Sequence, residues 1–198
     1  MGEPGAARAL AATPCGEIIA ALAARTPVPG GGAAAALAAA LGCATGAMAA
    51  RYTTGAKWAD RAVLAATIAQ GLDETSRTLL TLADEDAAAF AAVGASRAAG
   101  DATALAAAAA RSAQIPAEVL LICVVQAQLL ESFRTVCNPR LISDVEVGIA
   151  LLAGAGRAAL ATLDANPQTP AQRQLALSQL RILEAITAQP PSASGGAQ

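Results

Sequence analysis

The sequence offers few side chains that can transfer a proton near neutral pH, and one of them is a lysine that occurs only once. The chain has 13 Lys and Arg residues and no His, and Lys57 is its single lysine. Histidine acid–base chemistry and histidine-ligated metals are therefore excluded. A compact ammonium whose pKa falls on burial can give or take a proton, which arginine does not do. We interpret Lys57 as a candidate catalytic residue, with a lysine left by drift as the alternative.

A run of three carboxylates supplies the second group of candidates. Asp84, Glu85 and Asp86 are adjacent in a segment of helical periodicity, so their side chains point about 100° apart around a helix. Asp86 lies four residues before Phe90 and shares its face, and an inward Phe90 would carry Asp86 toward the interior. The alternative is that all three are solvated surface charges, and we accept that interpretation for Glu85.

The third candidate, Asp144, belongs to the segment 136–147. Ser143, with Glu146 three residues later, has the pattern of a capping box, which predicts that a helix begins here. Asp144 then lies in the first turn, where the helix dipole favours a carboxylate. This interaction with the helix dipole is enough to explain an aspartate at position 144. A functional role for Asp144 remains open.

An alanine-rich stretch after three glycines is the element around which the other segments are organised. Pro27 and Pro29 keep the entering chain extended, and residues 30–32 let the backbone turn and a ligand approach closely. We predict a helix from near Ala33 to about Thr53, with an N-terminus suited to an anion. Its side chains are small on every face, so we expect neighbours to pack around it on all sides.

The same stretch is uncharged between Arg25 and Arg51, which is long enough to cross a bilayer. Insertion is driven by Leu, Ile, Phe and Val, and this run holds few of them. We therefore expect a helix of the protein interior and no membrane partner. The chain also starts without a continuous apolar signal core, so we expect a cytoplasmic protein.

The remaining segments predict an all-α fold, a bundle of about six helices around the alanine-rich helix. Hydrophobic residues recur at helical spacing and no strand pattern is found. We expect one domain at 13–188, a flexible tail at 1–12 and a disordered tail at 189–198. The apolar run 120–125 is expected in the deep core. The predicted N-terminal caps of helices are Thr13, Asp60, Asp101, Ser143 and Thr169.

Composition and spacing exclude several classes of function. The net charge of −2 provides no basic face for nucleic acid. The four cysteines have neither CxxC nor metal-site spacing, and we interpret them as buried thiols in a reducing compartment. The glycine triplet is not followed by the GK[ST] of a phosphate-binding loop.

The order of several short motifs resembles one family. The motifs are P-x-P-G-G-G before a small-residue helix, T-x-G-x-K-aromatic, D-x-D-A-x-x-F, N-P-x-x-x-S-D and a final N-P. Over residues 13–188 this set resembles the formiminotransferase-cyclodeaminase C-terminal family, which includes formimidoyltetrahydrofolate cyclodeaminases and methenyltetrahydrofolate cyclohydrolases. The resemblance implies a helical bundle that forms a homodimer, with its substrate site near the subunit interface. It also implies action on one-carbon units carried by tetrahydrofolate, with no metal and no cofactor besides that substrate.

The resemblance also assigns residues. It implies a folate-binding role for Pro29, Gly30, Gly31 and Gly32, and substrate binding by Asn138 in the N-P motif. It matches Lys57 to the motif lysine, and Asp86 and Asp144 to the recurrent aspartates, as catalytic residues.

The chain departs from the pattern at three positions, which leaves its reaction open. Ala33 stands where a serine commonly follows the glycines, Cys137 where a glycine precedes the asparagine, and Trp58 where a tyrosine follows the lysine. In cyclodeamination an amine nitrogen attacks a formimino carbon and ammonia leaves, whereas in the cyclohydrolase reaction water attacks a methenyl carbon. Both need a proton shuttle and a stabilised charge. The alternatives are a relative that uses another amidine or imine substrate, and a non-catalytic dimeric helical scaffold.

Overall fold

The computed structural model describes residues 9–188. The predicted tail at 189–198 and the first eight residues of the predicted tail at 1–12 lie outside this range. Within it, six α-helices and three short 3-10 turns account for most of the chain, and no strand is found. The all-α prediction is therefore confirmed. The helices are α1 Cys15–Ala23, α2 Gly31–Arg51, α3 Ala62–Ala99, α4 Ala102–Arg134, α5 Ile142–Asp164 and α6 Pro170–Thr187, and the turns are Leu10–Ala12, Ala56–Trp58 and Pro139–Leu141.

Two of the predicted helix starts are confirmed by their hydrogen bonds. The Asp101 carboxylate accepts from the Ala104 N–H at the start of α4 (2.9 Å). At the start of α6, Thr169 and Gln172 form a reciprocal capping box, and Pro170 occupies the first helical position. Each arrangement satisfies backbone donors that have no partner inside the helix.

The other three predicted caps are wrong, and at Thr13 and Asp60 the side chain bonds elsewhere. The Thr13 hydroxyl donates to the Ala9 carbonyl, and α1 begins at Cys15 without a side-chain cap. Asp60 pairs with Arg61 (3.4 Å) instead of capping α3.

The predicted capping box at Ser143 does not form either. Glu146 accepts from Arg134 of α4 at 2.7 Å and so is unavailable to the backbone. The helix begins one residue earlier, at Ile142, directly after the Pro139–Leu141 turn, whose cap is the Asn138 side chain. The local pattern predicted Glu146 as part of a helix cap, but Glu146 forms an ion pair with another helix instead.

Helices α2 to α6 alternate in direction, and glycines allow α2 and α5 to touch. The Gly42 and Gly148 backbones meet so closely that a Cβ on Gly42 would lie 2.9 Å from the Gly148 carbonyl oxygen. A Cβ on Gly46 would lie 2.5 Å from Leu130 of α4. At Gly42 and Gly148 the facing helix backbone occupies the space of a side chain, and at Gly46 the Leu130 side chain occupies it.

The buried core runs along α2 to α6, with the largest buried share in α2 and α5, but it differs from two predictions. Helix α2 is not covered on all sides, since Leu41 is 62% exposed and Met48 and Tyr52 are also exposed. In the run 120–125, Leu120 and Val124 are buried, whereas Leu121 and Val125 are about half exposed and face a groove between α3 and α4. A helical run of six apolar residues presents some of them to each face.

Three helical segments have the length and apolar composition of a membrane span: Gly31–Arg51, Ala102–Arg134 and Pro139–Asp164. Between 44% and 61% of each apolar window is buried inside the bundle. Three of the four cysteines are buried as predicted, and Cys15 is exposed.

Candidate functional site

The glycine triplet forms the N-terminal end of α2, and Asp86 of α3 lies against it. Gly30 is the N-cap residue, and its carbonyl accepts from the Ala34 N–H (3.0 Å). One carboxylate oxygen of Asp86, Oδ2, accepts the Ala33 N–H at 3.0 Å. Asp86 therefore caps α2 from another helix, at the positive end of the α2 dipole. We call Gly30, Gly31, Gly32, Ala33 and Asp86 the N-terminal cluster.

The approach of Asp86 depends on the absence of a side chain at Gly32. A Cβ there would lie 2.5 Å from Asp86 Cγ and 2.7 Å from Oδ2. Burial raises the pKa of Asp86, and the Ala33 N–H opposes this effect by stabilising the charged form. A half-buried carboxyl whose pKa is raised above its ordinary value is a candidate general acid or base.

The three adjacent carboxylates have three different partners, as their angular spacing predicted. Asp84 accepts the Leu10 N–H at 2.8 Å, Glu85 pairs with Arg111, and Asp86 caps α2. The Glu85 side chain remains 43% exposed, so it is a surface charge, as expected, that pairs with Arg111. Phe90 is 53% exposed, so an inward Phe90 is not what brings Asp86 to α2.

The opposite end of α2 is joined to the chain before α5 by Thr53 and Asn138. The buried Thr53 hydroxyl donates to the Ala49 carbonyl and accepts the Asn138 N–H, both at 3.0 Å. The Asn138 amide donates to the Tyr52 carbonyl (3.2 Å), and its oxygen accepts the Arg140 N–H (3.1 Å). These hydrogen bonds to backbone groups of the same chain fix the position of the Asn138 side chain.

Lys57 lies beyond the C-terminal end of α2 and is exposed. Its ammonium is 5.1 Å from the centre of the Trp58 ring, and the Arg61 guanidinium is 5.5 Å from the same ring. Arg61 also donates to the Val136 carbonyl (3.0 Å), which ties this turn to the segment before α5. Two cations around one indole form a surface that can bind an anionic, aromatic molecule.

Asp144 occupies the first turn of α5, half buried, six residues after Asn138. No hydrogen bond or ion pair to Asp144 is found within residues 9–188. The neighbouring Cys137 thiol is buried, which raises its pKa. We call Thr53, Lys57, Trp58, Asn138 and Asp144 the C-terminal cluster.

The predicted site residues therefore fall into two groups within one protomer. Pro29 and the three glycines lie with Asp86 in the N-terminal cluster, and Lys57, Asn138 and Asp144 lie in the C-terminal cluster. Helix α2 has 21 residues, so its two ends are about 30 Å apart. Lys57 and Asp86 of the same protomer cannot act on one reacting atom across that distance.

Sequence reasoning missed Thr53 and Arg61 as parts of the second group. Thr53 was treated only as a helix end, although it opens the T-x-G-x-K motif. Its spacing gave no sign of the bond to Asn138, which is 85 residues away. Arg61 lies four residues after Lys57, a local signal that could have placed both cations beside Trp58.

The larger cavities lie elsewhere. One groove of about 600 Å³ runs between α3 and α4, and another of about 560 Å³ runs between α4 and α6. Neither is lined by the N-terminal or the C-terminal cluster. Among residues 9–188, no group of three His, Cys, Asp or Glu side chains is arranged to hold a metal ion.

Comparisons with known proteins agree with the motif order. The chain is similar in structure to a crystal structure of formiminotetrahydrofolate cyclodeaminase from Thermotoga maritima, with a TM-score of 0.79 and 24% identity over 89% of this chain and 91% of that one. This likeness supports the fold. No match was found among curated proteins. A model of the family described as formiminotransferase-cyclodeaminase matches residues 14–179, and the chain therefore belongs to the formiminotransferase-cyclodeaminase family.

Proposed function

We propose that the chain is a homodimeric, metal-independent enzyme of folate one-carbon metabolism that works in the cytoplasm. It acts as a formimidoyltetrahydrofolate cyclodeaminase or a methenyltetrahydrofolate cyclohydrolase and needs no cofactor besides its tetrahydrofolate substrate. The observation that carries the proposal is the family match over residues 14–179, which includes both clusters. The T. maritima protein that shares the fold is described as a formiminotetrahydrofolate cyclodeaminase.

Asp86 is the proposed general acid and base. The Ala33 N–H holds one of its oxygens, and the other carries no hydrogen bond from residues 9–188. In the cyclohydrolase reaction, water attacks the methenyl carbon and its proton passes to Asp86 as the carbon–oxygen bond forms. The carbon–nitrogen bond of the ring then breaks as the new hydroxyl gives up its proton and becomes the formyl carbonyl, and the released nitrogen takes up a proton.

Lys57 is the proposed proton donor to the departing nitrogen. In the cyclodeaminase reaction, the substrate amine attacks the formimino carbon and gives its proton to Asp86. The formimino nitrogen leaves as ammonia after receiving a proton from Lys57. The Trp58 ring lies 5.1 Å from the Lys57 ammonium and 5.5 Å from the Arg61 guanidinium, which keeps both cations at this end of α2.

The remaining residues of the site bind and orient the substrate. The backbone N–H groups at the α2 N-terminus, beside Gly30 and Gly31, are proposed to donate to an anionic or polarised oxygen of the substrate. Asp144 is proposed to accept hydrogen bonds from the N–H edge of the pterin ring. Asn138 positions the C-terminal cluster through its bonds to Tyr52 and Thr53.

The proposed dimer brings the two clusters together. Neither α2 over 31–50 nor α5 over 147–156 carries a charged residue, and the outward face of this helix pair is apolar, with Leu41, Met48 and Val147 exposed. A soluble protein covers such a face with a partner. A two-fold axis across the middle of α2 would place the N-terminal cluster of one protomer beside the C-terminal cluster of its partner.

Two measurements test this function. Purified protein is incubated with methenyltetrahydrofolate, and separately with formiminotetrahydrofolate, and turnover is followed by absorbance. Saturable binding without turnover would favour the scaffold alternative. Turnover of a different amidine alone would favour recruitment to another substrate.

Subunit mixing tests the shared site. Homodimers of Lys57→Met and of Asp86→Asn are expected to be inactive. A 1:1 mixture, re-equilibrated, should regain about a quarter of wild-type activity, because half the dimers are mixed and each mixed dimer has one intact site of two. Two inactive homodimers whose mixture stays inactive would show that the two residues do not share a site between protomers.

A further inference from the structure

The turn that carries Lys57 has little packing of its own. None of the residues of the 3-10 turn Ala56–Trp58 is buried, and Lys57 is exposed. Gly55 enters the turn with a φ of 90°, in the left-handed region that favours glycine. A segment with so few buried contacts opens easily. The position of Lys57 therefore depends on the contacts that this turn makes with its neighbours.

Arg61 makes two such contacts with one side chain. Its guanidinium lies 5.5 Å from the centre of the Trp58 ring, and one of its nitrogens donates to the Val136 carbonyl at 3.0 Å. A planar guanidinium can contact an aromatic ring with its face and donate hydrogen bonds from its edge. The ion pair with Asp60 is 3.4 Å long, and the Asp60 side chain is 72% exposed, so that pair contributes little. The main partners of Arg61 are therefore the indole and the carbonyl.

The two elements that Arg61 joins both carry residues of the C-terminal cluster. On one side, the Trp58 ring lies 5.1 Å from the Lys57 ammonium. On the other side, Val136 precedes Asn138 by two residues, and the Asn138 N–H is itself held at the end of α2. Arg61 therefore connects the turn of the proposed proton donor, Lys57, to the segment of Asn138.

We propose that Arg61 is a positioning residue, which holds the Trp58 ring and, through it, the Lys57 ammonium at a fixed place beside the Asn138 segment. Arg61 acts through these contacts and does not touch the reacting atoms. The inference rests on the proposed function, because it gives the placement of Lys57 a part in turnover. A catalytic group displaced by about 1 Å can cost about 100-fold in rate, so a contact that fixes such a group affects turnover.

The placement of Lys57 can be measured without any substrate. Lys57 is the single lysine and Trp58 the single tryptophan, so reductive methylation with isotope-labelled formaldehyde gives one lysine signal in the NMR spectrum, which Lys57→Met identifies. Methylation keeps the charge, and the ring current of the indole should shift the methyl signal. Arg61→Gln and Arg61→Lys should both move this signal toward that of dimethyllysine in a short peptide. Arg77→Gln, at an exposed arginine of the same helix, is the control and should leave it in place.

Steady-state kinetics on the same variants test the consequence for turnover. Arg61→Gln and Arg61→Lys should lower kcat about tenfold or more and change KM by less than about twofold, whereas Arg77→Gln should change neither. The lysine variant keeps the charge but lacks the planar fork, so it separates positioning from charge alone. Trp58→Leu should lower kcat similarly, and combining it with Arg61→Gln should add little further loss, because the two residues act as one unit. Urea unfolding confirms that each variant is folded.

Three results would overturn the positioning role. The first is a Lys57 methyl signal that stays in place in both Arg61 variants, and the second is a displaced signal with normal kcat. The third is a rise in KM alone, which would identify Arg61 as a cation that binds the substrate. A wild-type protein without folate turnover, in which the methyl signal still depends on Arg61, would refute the proposed function and leave the placement of Lys57 by Arg61 standing.

Discussion

Replacing Gly32 with alanine tests whether Asp86 must lie against the α2 N-terminus. The new Cβ would lie 2.5 Å from Asp86 Cγ, well inside van der Waals contact, and 2.7 Å from the oxygen that accepts the Ala33 N–H. The α2 backbone cannot move easily, since α2 is packed between α3 and α5. The carboxylate must therefore move away and give up its hydrogen bond.

The size of the effect follows from two opposing contributions. A lost hydrogen bond to a charged group costs about 1.5–3 kcal/mol, and alanine in place of glycine in a helix returns roughly 0.5–1 kcal/mol. We expect a net loss of about 1–2 kcal/mol in the free energy of unfolding. Turnover should fall by about 100-fold, the range for a displaced acid–base group.

Gly31→Ala is the matched control, because the nearest atom to its Cβ would be the Thr162 hydroxyl at 3.8 Å, an ordinary contact. That variant should keep its stability, because its Cβ does not displace Asp86. Urea unfolding and steady-state kinetics on both variants make the comparison. Equal, near-normal turnover in the two would refute the role of the Asp86–Gly32 contact. Suppose that Gly32→Ala keeps full stability and that adding Asp86→Ala to it changes the stability no further. The contact would then contribute nothing to the free energy of unfolding.

Four further outcomes are expected. Lys57→Arg keeps the charge but should lower kcat strongly, and a change in KM alone would reduce Lys57 to a binding role. Asp144→Asn should lower kcat/KM about 100-fold with little change in Tm. If Asp144 only stabilises the first turn of its helix, the substitution would cost about 0.3–1 kcal/mol of stability and leave the activity unchanged. Gly46→Ala should lower the free energy of unfolding, measured by thermal unfolding, by about 1–3 kcal/mol, because the new Cβ meets Leu130. Gly71→Ala is the control, because the space around Gly71 is open. Burial raises the pKa of Asp86 in the folded protein. The contribution of Asp86 to stability is therefore present at low pH and is lost as the pH rises from about 4 through that raised pKa. Asp86→Asn should remove this part of the pH dependence, and a stability–pH curve identical to that of the wild type would contradict the expectation.

Much of the fold could be read from local sequence because helices are local structures. Periodicity predicted α2 to within two residues at each end, and Asp101 and Thr169 cap helices as their patterns predicted. The motif order predicted the family that the match over residues 14–179 confirms. The angular spacing of Asp84, Glu85 and Asp86 predicted that they point apart, as they do.

What the sequence could not supply was the partner of each polar side chain. Ser143 and Glu146 had the local pattern of a cap, yet Glu146 is bound by Arg134 of another helix. Asp86 lies 53 residues from the N–H it accepts, and Thr53 lies 85 residues from Asn138. Such contacts are set by how helices pack, and periodicity gives no information about which helices become neighbours.

The sequence by itself determined which residues could do chemistry and on which helices they lie. Only the tertiary structure decided that α2 holds them apart, with Asp86 at one end and Lys57 at the other. A helix rises about 1.5 Å per residue, so 21 residues in one straight element separate groups that the motif list treats as a single set. The physical reason is that a rigid helix fixes the distance between its two ends. Which residues lie beside each end depends on the elements that pack against the helix.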